Sequence, residues 1–145
     1  LVFKTIKNLS HLDGFNSVSF NVNIPDDFII NSNLQMLSSI FQNIIQNAIK
    51  YKRPMSNTHT PFIIINAFKS NTGVDIFIKD NGLGIYPKDL DKVFDLYYRS
   101  NNVIEGTGLG LYITKNIVQK LNGTIGVKSI LNEMTEFDIN IPNTI

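Results

Sequence analysis

A chain of 145 residues and 16.4 kDa is long enough to bury a core as one domain without cross-links. Cysteine is absent, which excludes a disulfide framework and any thiolate metal site. The net charge of +1, with no basic block, argues against a dedicated nucleic-acid surface, and no run of about 18 apolar residues marks a membrane span.

Residues 1–12 carry apolar side chains at positions 2, 3, 6, 9 and 12, a helical spacing that reads as the tail of a longer upstream helix. No initiator Met precedes Leu1 and no signal peptide follows it, so the chain reads as part of something longer. Gly14 ends the turn. Val18, Phe20, Val22 and Ile24 alternate with polar residues, as in a half-buried strand. A turn at Pro25 leads to a short second strand over Phe28–Ile30. Asn31, Ser32 or Asn33 then caps a helix that should stop near Arg53-Pro54. Phe62–Ser70 and Val74–Asp80 flank Asn71-Thr-Gly73 as a hairpin. A short helix is predicted over Lys88–Phe94 and a longer one over Gly110–Leu121. Thr124–Ser129 and Thr135–Ile141 close the chain as strands. This order predicts an α/β (α+β) sandwich: a mixed, mostly antiparallel sheet covered on one face by about three helices.

The helix after Asn33 organises the rest. Leu37, Ile40, Phe41, Ile44 and Ala48 form one apolar stripe, and Asn43, Asn47 and Lys50 run along its edge. Asn is a mediocre helix former, so two of them here are either satisfied core amides or oxygen ligands beside a cation. Asp80-Asn-Gly82-Leu-Gly84-Ile85 follows a strand directly. It is either an ordinary turn or a carboxylate acceptor beside backbone that a ligand can approach closely. Gly106-Thr107-Gly108-Leu109-Gly110-Leu111 enters a helix; it is either a mobile loop or a phosphate site, since amides at a helix start favour an anion. It lacks the Lys-Ser/Thr of a phosphate-binding P-loop and the full dinucleotide-fold glycine spacing. Between them, Val93-Phe94-Asp-Leu-Tyr97-Tyr98-Arg99 places a guanidinium beside a glycine loop, where it can meet a phosphate.

In this order and spacing the four segments resemble the ATP-binding catalytic domain of sensor histidine kinases, in the gyrase/Hsp90/histidine kinase/MutL superfamily with its Bergerat fold. Asn43-x3-Asn47-Ala-x-Lys50-Tyr51 is similar to the family's N box and Asp80-x-Gly82-x-Gly84-Ile85 to its first glycine box. The segment from Val93 to Arg99 is similar to the F box, and Gly106 to Leu111 to the second glycine box. The resemblance runs from about Val18 to Pro142. It implies that Asn47, with Asn43, holds a Mg²⁺ bridging the phosphates and that Lys50 contacts a phosphate. Tyr51 would lie against the nucleotide, Asp80 would accept from the adenine amino group, and Gly82 and Gly84 would let the chain pass close to the base. Residues 101–105 would form an ATP lid, and Thr135 would support the adenine end. The family's last hairpin carries Gly-x-Gly-Thr-x-Phe, whereas this chain has Asn132-Glu-Met134-Thr135-Glu-Phe137.

The resemblance further implies residues 1–14 as linker remnant and 15–145 as the catalytic domain. Superfamily hydrolases resemble one another in a Glu general base at the position of Asn43, and a neutral amide cannot take that proton. Phosphoryl transfer to an outside nucleophile is therefore favoured over hydrolysis. The family's acceptor is a His on an upstream dimerising hairpin, and His11 does not match its pattern, so this chain should bind ATP without phosphorylating itself. The implied partners are that hairpin, in a homodimeric full-length protein, and a response regulator, with no membrane contact by a cytoplasmic domain. The alternatives are an anti-sigma-type serine kinase, a non-catalytic nucleotide-sensing module and a hydrolase.

Overall fold

The computed structural model describes residues 1–99, 104 and 106–143. Among the described residues three α-helices, α1 (Val2–Asn8), α2 (Leu34–Lys50) and α3 (Gly110–Lys120), accompany five strands: β1 (Ser19–Asn23), β2 (Phe62–Lys69), β3 (Gly73–Asp80), β4 (Thr124–Ile130) and β5 (Met134–Pro142). The strands form one sheet in the order β1-β2-β3-β5-β4. β1 runs parallel to β2 and the other pairs are antiparallel, as the sequence predicts.

Alternation assigns the two sheet faces. Ile63, Ile65 and Ala67 of β2, Val74, Ile76 and Ile78 of β3, and Phe137, Ile139 and Ile141 of β5 are buried under the helices. On the outer face Phe68 and Phe77 pair at 6.4 Å between ring centroids, with Phe68 53% exposed. The whole predicted stripe of α2 is buried, and so are Ile45 and Ile49, because α1 docks on a second side of this helix and buries Val2 and Leu9. Burying an Ile contributes about 2 kcal/mol. The isoleucines of α2, β2 and β3 therefore hold the helix that carries Asn43 and Asn47 firmly against the sheet.

Asn33 caps α2, its side chain accepting the Met36 N–H at 2.9 Å. The helix ends at Lys50, before the predicted stop. The Tyr51 carbonyl accepts the Leu83 N–H at 2.9 Å and Gly82 stacks against it, so the loop after β3 captures the helix terminus.

Two predicted elements are corrected. Residues Phe28–Ile30 form no strand: the Phe28 N–H closes a turn onto Pro25 O at 3.0 Å and Ile29 is 81% exposed. Phe28 and Ile30 instead lean on the core from an extended loop. Residues Lys88–Phe94 form no α-helix. A 3₁₀ turn, Pro87–Asp89, is continued by Lys92 N–H to Asp89 O at 3.0 Å and Asp95 N–H to Lys92 O at 2.9 Å. The segment is tacked down by buried Asp89 and Val93 and by Phe94 edge-on to Phe137, anchors that suit successive tight turns.

Candidate functional site

α2, the C-terminal end of β3, the segment up to Arg99, the glycine loop before α3 and the start of β5 surround a cavity of about 460 Å³. Every site residue named from the sequence lines it except Gly82. Gly82 lies behind the wall, where a Cβ would stand 2.6 Å from Tyr51 O, so its smallness serves the loop-to-helix contact. Gly84 (φ +70°) does line the cavity, and a side chain there would run into the backbone of Ile130 and Leu131. Of the predicted lid, all but Ile104 falls outside the described residues.

Asp80 ends β3 opposite Thr135 of β5. Its Oδ1 accepts the Gly82 N–H at 2.8 Å. Burial pushes the carboxyl up from 3.8 to about 7, against the opposing pull of that N–H. The loop beyond it is tied on both sides. Asn81 Oδ1 accepts the Phe62 N–H at 2.8 Å, its Nδ2 donates to Thr60 O at 2.9 Å, and its carbonyl accepts from Arg53 Nε at 3.1 Å. Leu83 O accepts the Asn132 N–H at 2.7 Å. Asn132 has φ +60°, so an Asn supplies the left-handed residue of the divergent last hairpin, and Thr135 keeps its place in the wall.

At the other end, Asn43 Nδ2 donates to Gly110 O and Thr114 Oγ1, both at 3.2 Å. This bolts α2 to the first turn of α3 and leaves Asn43 Oδ1 as the amide's acceptor. Thr114 is wholly buried and donates to Gly110 O at 2.8 Å. Lys50 Nζ lies 5.5 Å from the Tyr51 ring centroid and beside Gly106. Tyr51, partly buried, has its phenol raised by burial and lowered in smaller measure by Arg99. Arg99 donates to the Ile104 carbonyl. Removal from water, the hydrogen bond to Asp89 and the charges of Asp89 and Asp91 push the Tyr98 phenol up to about 12.

The glycine loop is clasped to the preceding segment. The Tyr97 N–H donates to Gly108 O at 3.0 Å, and a Cβ on Gly108 (φ +68°) would stand 2.6 Å from the Tyr97 carbonyl carbon. The α3 N-terminus has no side-chain cap, so its first amides open onto the cavity beside Gly110 and Leu111. Among the described residues no group of three or more His, Cys, Asp or Glu could cage a metal. The amide oxygens of Asn47 and Asn43 suit a hard cation that arrives with its own phosphate ligands. No helix of the described residues is long and apolar enough to cross a membrane.

No site role was read from the sequence for Gln46, Leu83, Val93, Ile113 and Phe137 in the wall, or for Ser129, Asn81 and Thr114 behind it. Leu83, Val93 and Phe137 nevertheless stand inside the motif segments. Ser129 carried none.

The family model of histidine kinase-, DNA gyrase B- and HSP90-like ATPases matches residues 33–145. The chain is 36% identical over 130 residues to the sensor histidine kinase WalK of Bacillus subtilis, covering 86% of this chain and 21% of that protein. It is 30% identical over 126 residues to the sensor histidine kinase AtsR of Burkholderia thailandensis, covering 81% and 20%. The chain thus spans about a fifth of the length of these curated relatives. Its fold is that of the mycobacterial sensor histidine kinase MprB (TM-score 0.82, 22% identity, covering 98% of this chain and 91% of that one). Full-length ShkA in complex with AMPPNP also shares it (TM-score 0.82, 20% identity, covering 99% and 29%).

Proposed function

The chain belongs to the family of histidine kinase-, DNA gyrase B- and HSP90-like ATPases, and from that premise we propose that it is the ATP-binding catalytic domain of a sensor histidine kinase. It would bind Mg²⁺–ATP and present the γ-phosphate to a His on an upstream helical hairpin. The observation that carries this reading is the cavity itself, in which a strand-end carboxylate, a glycine loop opening a helix, and the amides and Lys of α2 converge. Asp80, with Thr135 beside it, receives the adenine amino group, and Tyr51 and Ile85 border the base. Lys50, Arg99 and the amides from Gly106 to Leu111 take the phosphates. Mg²⁺, held by Asn47 and Asn43, would neutralise charge developing on the transferring phosphoryl group.

Transfer is favoured over hydrolysis by the setting of Asn43. Its Nδ2 protons are committed to Gly110 O and Thr114 Oγ1, and an amide cannot act as general base toward water. We place the domain at residues 15–145, with 1–14 leading to the hairpin. The full-length protein would work as a cytoplasmic-side homodimer passing phosphate to a response regulator. Titration of the purified chain with a non-hydrolysable ATP analogue, with and without Mg²⁺ and again with GTP, tests the reading. Micromolar, Mg²⁺-dependent, adenine-selective binding without phosphohistidine on the chain is expected. Absence of nucleotide binding at millimolar concentration would refute it.

A further inference from the structure

Ser129 does not line the cavity, yet its hydroxyl joins three groups at the base end. Ser129 Oγ lies 2.7 Å from the Met134 carbonyl, 2.8 Å from the Ile85 nitrogen and 3.0 Å from Thr135 Oγ1. A hydroxyl has one proton and two lone pairs. A carbonyl only accepts, so the Ser129 proton goes to Met134 O. An amide N–H only donates, so Ile85 occupies one lone pair. The second lone pair faces Thr135, and only Thr135 can supply the proton of that contact. Thr135, 7% exposed and part of the wall, therefore turns lone pairs and no proton toward the cavity. Asp80, opposite it across the β3–β5 ladder, is as a carboxylate another acceptor.

We infer that Ser129 is a positioning residue that fixes the polarity of the base end, making it a wall of acceptors that takes an exocyclic amino group and refuses a carbonyl oxygen in its place. This rests on the reading that the Asp80 end receives the base. A site built to accept from a ligand N–H leaves lone pairs facing each other when a carbonyl takes that place, and such mismatches separate ligands by large factors.

The test compares ATP with inosine triphosphate, whose base carries a carbonyl where adenine has the amino group and an N1–H where adenine has a lone pair, at pH 8 where Asp80 is ionised. Ser129→Ala frees the Thr135 hydroxyl to rotate and donate. The preference for ATP should then fall by about 10-fold, chiefly through tighter inosine triphosphate binding. A gain in affinity does not arise from damaged folding. Ser129→Thr should restore the original preference, and Ser129→Cys, a weak acceptor of similar bulk, should move it as Ala does. Adding Thr135→Val to Ser129→Ala should abolish the gain. If Ser129→Ala weakens both nucleotides equally, or the gain survives Thr135→Val, the inference is overturned while the site reading stands. If the unaltered chain binds nucleotide without preferring ATP, the reading of Asp80 falls together with the inference.

Discussion

The two ends of the cavity are built on opposite plans. The base end sits on the ends of β3, β4 and β5, where Asn81, Leu83, Ile85 and Ser129 are each held by hydrogen bonds from distant parts of the chain. The phosphate end joins the side chains of Lys50 and Arg99 to a glycine loop held through Tyr97 N–H to Gly108 O and Leu109 N–H to Thr107 Oγ1 (3.3 Å), feeding an uncapped helix start. A planar base is told apart by fixed donors and acceptors, which only a braced wall can offer. A triphosphate is the same for every nucleotide, and cationic side chains with the N–H groups of a helix start serve it.

The comparison is broken most severely at Asp80. Asp80→Asn replaces an acceptor by a mixed donor and acceptor, and ATP should bind about 100-fold more weakly, the upper range for a charged hydrogen bond. The same change should stabilise the unliganded chain. Asp80 titrates at 3.8 when unfolded and about 7 when folded, so its contribution is fully present below pH 4 and is lost as pH rises toward 7. The loss amounts to a few kcal/mol at most. Urea melts of the two proteins from pH 4 to 8 should diverge in favour of Asp80→Asn as pH rises, and parallel curves would mean Asp80 is not raised. Because an adenine amino group favours the ionised carboxylate, ATP affinity of the unaltered chain should climb between pH 6 and 8.

At the phosphate end the largest effect is expected from Gly108→Ala. The new Cβ meets the Tyr97 backbone at a φ of +68°, so the clasp must open. A cost of about 1–3 kcal/mol follows for a strained backbone position, falling on nucleotide binding rather than on the core. Calorimetry should report about a tenfold loss of ATP affinity with the melting temperature little changed. The reverse partition would place the clasp in the folding unit.

Asn81→Ala reaches the base end from behind. It orphans the Phe62 N–H and Thr60 O and should lower stability by about 2 kcal/mol. ATP selectivity over GTP should survive, because Asn81 braces the loop and does not face the cavity.

How much of this was legible in the sequence follows the same division. At the phosphate end, glycines at 106, 108 and 110 before an apolar helix read by themselves as either a mobile loop or an anion site, the three other motifs in register choose the anion site, and the stripe of α2 gives its orientation. The base end is legible in Asp80 and, through the resemblance, in Tyr51, Gly84, Ile85 and Thr135. Behind them, Asn81 and Ser129 are ordinary polar residues whose bonds to Phe62, Thr60 and Ile85 span 19 to 44 positions, and no local pattern encodes such pairings. The misread elements fail for a related reason. Phe28–Ile30 is apolar enough for a strand but finds no partner edge, and 88–94 has helical spacing because its anchors recur at helix-like intervals while the backbone turns through 3₁₀ bonds. The resemblance sets Gly82 against the base, whereas the backbone that a side chain there would meet is that of Tyr51, on another element.

The smallest effect is expected at Tyr97, and it separates backbone from side chain in the clasp. Tyr97 holds φ +61° with a ring 67% exposed. Tyr97→Gly relieves a left-handed conformation costing about 1–2 kcal/mol and removes little buried area. The unfolded glycine gains about as much freedom in return. The two terms nearly cancel, so stability should stay within about 1 kcal/mol. The N–H that bonds Gly108 O is retained, and ATP affinity should stay within about threefold. A tenfold loss would mean that the ring itself meets the nucleotide, and the clasp would then act through its side chain as well as its backbone.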